Sequence, residues 1–156
     1  MPRSEERFLA AASERGLNLR ITRFPAGTRT AEQAAAAVGC ELGQIVKSLV
    51  FVADGAPFLA LTSGANRADL RRLAAVLGAA EVRRADADEA REATGFPIGG
   101  TPPFGHPRRL RVLVDRDLLR YAELWAAAGT PDSVFPIGPD ALLGETGGEA
   151  TDFKER

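Results

Sequence analysis

Thirteen consecutive residues, Gly95-Phe96-Pro97-Ile98-Gly99-Gly100-Thr101-Pro102-Pro103-Phe104-Gly105-His106-Pro107, contain four prolines and four glycines. Proline removes the backbone donor and glycine carries an entropic cost, so this stretch forms neither a helix nor a central strand. Any fold for the chain must carry a long irregular connection between ordered elements. Glycine allows close backbone approach and positive φ, while proline stiffens the segment. Two roles fit such a loop. It is either an ordinary connection built of turn residues, or a rigid cradle whose N–H groups at Gly99, Gly100 and Thr101 hold a carbonyl oxygen or oxyanion. Loops of this length in small domains are more often functional than not.

Around this loop the pattern alternates between helix and strand signals. Pro2 to Gly16 reads as an amphipathic helix with Phe8, Leu9 and Ala12 on one face. Leu17 to Phe24 alternates apolar and polar residues as a half-buried strand does. Thr30 and Gln33 form a capping box that opens an alanine-rich helix ended by Gly39. Ile45 to Ala53, the turn Asp54-Gly55 and Phe58 to Thr62 predict a hairpin. Helices follow over Ala68 to Leu77 and Asp86 to Ala93, with a short strand at Glu81 to Arg84 between them. Strands at Arg109 to Asp115, Glu123 to Ala126 and Val134 to Ile137 precede a last helix from Pro139. Strands and helices are intermixed without regular alternation, and no linker or repeat appears. The expectation is a single α+β domain over residues 1–156, with a mixed, largely antiparallel sheet flanked by helices.

At 156 residues the chain can bury a sizeable core. One cysteine and one histidine leave no internal disulfide and no zinc site, so neither metal nor cofactor is expected. Cys40, at a helix end, reads as a packing residue. No 18-residue apolar run and no signal-like start are present, which predicts a cytoplasmic protein that avoids membranes. The formal net charge of −1 excludes bulk polyanion binding, so any nucleic-acid contact must be local.

The cationic residues are unevenly chosen. Of 20 basic residues, 18 are arginine, and the two lysines are Lys47 and Lys154. Lys154 falls in a tail expected to fray. Lys47 lies inside Ile45-Val46-Lys47-Ser48-Leu49-Val50-Phe51-Val52, the most apolar stretch of the chain. Arginine and lysine are not equivalent where a compact ammonium or a movable pKa is needed. Either Lys47 is functional, or its stem covers apolar surface on an edge strand. His106 could serve as a base but has no evident nucleophile beside it, and a loop residue bonded to backbone is the plainer reading. No serine-hydrolase elbow surrounds Thr62 and Ser63, and no nucleotide fingerprint is present. Arg67, Arg71, Arg72, Arg83, Arg84, Arg108, Arg109 and Arg111 either converge on phosphates or are scattered solvated charges.

Taken in order, Val46-Lys47-Ser48-Leu49-Val50-Phe51, Ala60-Leu61-Thr62-Ser63-Gly64, Asp69-Leu70 with Leu73-Ala74 and Leu77-Gly78, Thr94-Gly95, Gly99 to Gly105 and Val114-Asp115 resemble the YbaK/EbsC family. That family comprises freestanding relatives of the editing domain of prolyl-tRNA synthetases. The resemblance covers roughly residues 30–150. It implies a YbaK-like fold and hydrolysis of the ester joining a wrong amino acid to the 3′ adenosine of tRNA, typically tRNA(Pro). The implied partners are the tRNA acceptor end and prolyl-tRNA synthetase. The family's lysine matches Lys47, and its G-x-x-x-P loop matches Gly99 to Pro103. The implied catalytic group is Lys47 with Gly99, Gly100 and Thr101. The implied substrate contacts are Ser48, Thr62, Ser63, Gly64, Pro102, Pro103, Gly105, His106 and Asp115. A cysteine-specific branch carries tyrosine and aspartate near the positions of Phe24 and Ser133, so alanine or another small amino acid is the expected cargo. The alternative is a non-catalytic tRNA- or synthetase-binding module of the same fold.

Overall fold

A computed structural model describes residues 4–24 and 30–156. Pro2 and Arg3, where the first helix was expected to begin, lie outside the described residues. Five α-helices and one eight-stranded mixed sheet occur among those described. The helices are α1 (Ser4–Glu14), α2 (Ala31–Val38), α3 (Leu70–Leu77), α4 (Ala87–Thr94) and α5 (Pro139–Thr146). The strands are β1 (Thr22–Arg23), β2 (Ile45–Ala53), β3 (Ala56–Ser63), β4 (Val82–Arg84), β5 (Arg111–Asp115), β6 (Leu124–Ala127), β7 (Ser133–Ile137) and β8 (Glu149–Thr151). The order across the sheet is β1-β7-β6-β2-β3-β5-β8, and β4 also pairs with β2.

Local chemistry sets most boundaries. Thr30 and Gln33 close the predicted capping box on α2, and Asp86 with Glu89 does the same for α4. Asp54 and Gly55 have φ of 47° and 84°, the left-handed pair that a tight two-residue hairpin needs. The Asp54 carboxylate also accepts N–H groups from Ala80 and Glu81, at 3.0 and 2.9 Å. The β2–β3 turn therefore holds the chain entering β4 against the end of β2.

The hairpin register supplies the geometry that matters for the site. Ala53 opposes Ala56 across the two-residue turn, so this pair exchanges hydrogen bonds and the pattern alternates from there. Lys47, Leu49 and Phe51 direct their backbone groups to β3, while Val46, Ser48, Val50 and Val52 direct theirs to the opposite edge. On that edge β6 pairs in parallel with Ile45 and Val46, and β4 pairs antiparallel with Phe51 to Ala53. Among the described residues no strand pairs with Lys47 to Val50 on this side. The sheet is split there.

A large core under the sheet joins Phe8 of α1 to Phe104 and Phe135, with ring centroids 5.3 and 5.0 Å away. Phe96 and Phe104, both nearly fully buried, root the two ends of the glycine–proline loop in this core. A second core, on α3's side, contains Phe51, Phe58, Leu73 and Phe153.

Two expectations are corrected. Leu17 to Ile21 is not a strand, and only Thr22 and Arg23 pair, with β7. Leu17, Leu19 and Ile21 meet their need for burial by packing on the main core, which requires no ladder. The C-terminus does not fray. Beyond β8, Phe153 is fully buried, Asp69 donates its N–H to the Phe153 carbonyl at 2.8 Å, and Glu155 donates to Arg67 at 2.7 Å. Phe153→Ala should lower unfolding free energy by about 3–5 kcal/mol in a denaturant titration. A change under about 1 kcal/mol, within surface-substitution range, would show the tail to be dispensable.

Candidate functional site

The split in the sheet opens into a cavity of about 220 Å³. Lys47, Ser48, Leu49 and Val50 line its β2 side, Arg84 and Ala85 line one end, and Trp125 and Ala127 line the other. Ala31 and Ala34 of α2, with Ile45 and Val134, give an apolar wall. Ile98, Gly99, Thr101 and Pro131 complete it from the glycine–proline loop and the turn before β7. The volume is below the roughly 300–1,000 Å³ of drug-sized sites, so it suits a small group with few polar atoms.

Three polar features face this space. Lys47 is half-buried, and its ammonium donates to the Asn66 carbonyl at 2.6 Å. Burial, then the nearby Arg67 and Arg84 charges, hold its pKa below the usual lysine value, against the opposing pull of Glu32 and Asp115. Ser48 presents one N–H and one C=O to the unpaired edge. The residue is partly exposed although its Oγ is buried and without a partner among the described residues, so its exposure lies in the other atoms. Gly99 and Thr101 face the cavity, and among the described residues their N–H groups carry no hydrogen-bond partner.

Of the four residues expected to be catalytic, Lys47, Gly99 and Thr101 thus share one cavity, and Gly100 does not line it. Its N–H donates to the Pro97 carbonyl at 3.1 Å, closing a turn, and the Thr101 hydroxyl donates to the same oxygen at 3.0 Å. A Cβ at Gly100 would stand 2.7 Å from Thr130 Cα, so glycine here permits contact with the turn before β7, not with a ligand. The Gly100 N–H is thus taken up inside the loop, while those of Gly99 and Thr101 have no partner among the described residues.

The expected substrate contacts also divide. Ser48 lines the cavity. Thr62 and Ser63 are buried, and Ser63 donates its N–H to Asp115 Oδ2 at 3.0 Å and its hydroxyl to the Gly43 carbonyl at 2.8 Å. A Cβ at Gly64 would meet the Leu42 carbonyl at 2.5 Å, another packing contact. Pro102 and Pro103 are buried beside Thr101. Gly105 and His106 line a different cavity with Arg7, Arg15, Glu14 and Phe96. His106 Nε2 lies 2.7 Å from the Pro102 carbonyl, which accepts only from a protonated nitrogen and so fixes the tautomer. Burial, aided by nearby Arg15 and opposed by the Pro102 bond, lowers its pKa, and His106 is a brace for the loop. Asp115 is buried and does not line the cavity; it accepts the Asn66 side-chain amide at 2.9 Å, and the Asn66 backbone carbonyl in turn holds Lys47. Phe24 packs with Ala34 and Val134, Ser133 bonds Thr130, and neither lines the cavity.

Asn66, which holds Lys47, and Trp125 and Pro131, which line the cavity, are residues that sequence reasoning passed over, whereas Arg84 stood among the arginines it named. Asn66 has a usable signal, because Ser63-Gly64-Ala65-Asn66 directly follows the strand that opposes Lys47. The others depend on which strands meet β2.

Among the described residues no cluster of metal-ligating side chains occurs, and no helix is long and apolar enough to cross a membrane. Fold and cavity together describe an α+β domain with a small cavity in a split sheet. Residues 25–144 match the aminoacyl-tRNA editing domain family, and the chain belongs to that family. A solved structure described as a candidate trans-editing enzyme for prolyl-tRNA synthetase superposes with a TM-score of 0.94 at 47% identity, covering 100% of this chain and 99% of that one. A candidate Cys-tRNA(Pro)/Cys-tRNA(Cys) deacylase, EbsC of Enterococcus faecalis, is 28% identical over 77% of this chain and 74% of its own length. A proline–tRNA ligase of Geobacter sp. is 37% identical over 59% of this chain but only 16% of the synthetase.

Gly100→Ala should lower stability by about 1–3 kcal/mol, since the new methyl meets backbone on Thr130. Gly144→Ala, with open space around its Cβ on exposed α5, should raise it by about 0.5–1 kcal/mol. Thermal melts of the pair check both signs, and an unperturbed Gly100→Ala protein would show that the Thr130 turn yields freely.

Proposed function

We propose that this protein removes alanine, or a comparably small amino acid, from misacylated tRNA(Pro), acting in trans to prolyl-tRNA synthetase in the cytoplasm. The observation that carries this reading is that Lys47, Gly99 and Thr101 line one small, mainly apolar cavity, the two loop residues with N–H groups that have no partner among the described residues. The family's action on aminoacyl-tRNA supplies the reaction class.

In this reading the amino acid's side chain enters the wall of Ala31, Ala34, Ile45 and Val134, where a methyl fits and a bulky side chain does not. The α-ammonium donates to the Ser48 carbonyl. The ester carbonyl points at the Gly99 and Thr101 N–H groups, which receive the charge that develops on its oxygen. Water attacks the carbonyl carbon and loses its proton as the bond to the ribose oxygen breaks and that oxygen is protonated. The products are the free amino acid and tRNA ending in a vicinal diol. The substrate's own neighbouring hydroxyl is placed to orient the water, so no covalent enzyme intermediate is required. Lys47 stands as a compact cation beside the ester or the terminal phosphate, and Arg67 and Arg84 extend positive charge around it.

A deacylation panel tests the reading. Free amino acid should be released fastest from alanyl-tRNA(Pro) and more slowly from cysteinyl-, seryl- and threonyl-tRNA. Release from none, with measurable tRNA binding, would favour the non-catalytic module. Lys47→Ala should cost about 10²-fold or more in kcat/KM while leaving the circular dichroism unchanged. The pH dependence has a definite sign. The ammonium form is the active one and burial lowers its pKa, so enzyme-specific kcat/KM should fall at a pH below the ordinary lysine value of about 10.4. In Lys47→Arg that alkaline limb should vanish, because guanidinium stays charged.

A further inference from the structure

Lys47 is held from outside the cavity by a chain of polar contacts that ends at the other lysine. Its ammonium donates to the Asn66 carbonyl at 2.6 Å, spending one of three N–H groups. The Asn66 side-chain amide then donates to Asp115 Oδ2 and Asp117 Oδ2, each at 2.9 Å. Two carboxylates accept and do not donate, so the NH₂ end must face them and the assignment is chemically forced. Asp115 is itself fixed by the Ser63 and Asp117 N–H groups, each at 3.0 Å. Asp117 Oδ2 takes a second donor, the Lys154 ammonium, at 2.7 Å. Bonds from Lys154 and Asn66, with the nearby Lys154 and Arg120 charges, hold the Asp117 pKa down and its carboxylate charged.

The same terminal residues lace onto the chain just past Asn66. Lys154 bridges Ala68, and the Asp69–Phe153 and Glu155–Arg67 hydrogen bonds flank it. Residue 154 lies beyond the 25–144 stretch that matches the family. We propose that Asn66 and Lys154 are positioning residues for the Lys47 ammonium: Lys154 fixes Asp117, Asp117 with Asp115 fixes the Asn66 amide, and the Asn66 carbonyl aims the remaining Lys47 N–H groups into the cavity. The proposal rests on the deacylase reading of Lys47 and adds to it the device that orients the group. A bare structural strap would need Asn66 held in place but would not require its carbonyl to receive the cavity lysine.

The experiment exploits the two-lysine composition. Protein labelled with 13C at lysine Cε gives two side-chain signals, and Lys47→Met deletes one and so assigns both. Asn66→Ala and Lys154→Met should each move the Lys47 signal and lower kcat on alanyl-tRNA(Pro) about 10–100-fold, with KM changed less than twofold. Lys154→Arg, which keeps a charge on Asp117, should recover signal position and rate in part. Should Asn66→Ala fail to fold, Lys154→Met decides by the same two readings, because that side chain lies at the surface end of the network. A Lys47 signal that stays in place in the variants overturns the proposal, and so does a displaced signal with full kcat. The lysine signals are read without tRNA, so a wild-type protein inactive on every aminoacyl-tRNA would refute the deacylase reading separately.

Discussion

The two edges of β2 are treated unequally, and the site follows from that inequality. One edge is zipped to β3 over eight register pairs, from Val46–Ser63 to Ala53–Ala56. The other receives β6 at its start and β4 at its end, leaving Ser48 between them. An unpaired backbone edge in a protein interior is costly unless something satisfies it. Here the edge opens to a cavity, where water or a ligand can supply the missing partners. Small residues keep that cavity open. Ala31 and Ala34 come from α2, Ala85 follows β4, and Gly99 comes from the loop, so little side-chain volume enters the gap.

Placing a lysine in such a strand works against stability. A half-buried ammonium loses hydration, and depressed basicity is the signature of that loss. By linkage, a lysine whose native pKa is below its unfolded value makes folding less favourable while both states are protonated. The penalty is relieved as pH rises from the native value toward about 10.4. A lysine with lowered basicity beside a cavity is a functional-site candidate, which is the reading proposed for Lys47. The surrounding polar groups compensate in part, with the Asn66 carbonyl accepting directly and the Asp115 charge acting from beyond it. On the proposed deacylase reading, the arrangement trades stability for a preorganised cation.

Much of the fold was legible locally because its signals are local. The Thr30 capping box, the Asp54-Gly55 hairpin and the glycine ends of helices each follow from a few adjacent residues. Lys47 was legible as an anomaly, an ammonium in an apolar strand of an arginine-rich chain. What escaped was long-range. That β4 and β6 share one edge of β2 is a property of topology and leaves no mark within β2 itself. Gly100 looked like Gly99 in sequence, and only the nearness of Thr130 and the Pro97 turn separates a packing glycine from a cavity glycine. The plainer reading of His106, a loop residue bonded to backbone, agrees with the Pro102 carbonyl at its Nε2. The alternation in Leu17 to Ile21 recorded burial correctly and pairing wrongly, since apolar side chains can be buried without a neighbouring strand.

The choice of lysine at two positions and arginine at eighteen has one physical account. Lys47 places its donor on a single backbone carbonyl within a confined cavity, and Lys154 places its donor on one oxygen of Asp117 that Asn66 also uses. Both contacts are point contacts in crowded surroundings. A guanidinium presents a broad planar fork suited to two parallel bonds, and it would have to displace Asn66 to reach a bidentate geometry on Asp117. Elsewhere the fork is an advantage, as where Arg83 meets both oxygens of Glu89 at 2.8 and 2.7 Å on the surface. The two lysines therefore mark the two ends of one network, in which the geometry of single hydrogen bonds outweighs the strength of an ion pair.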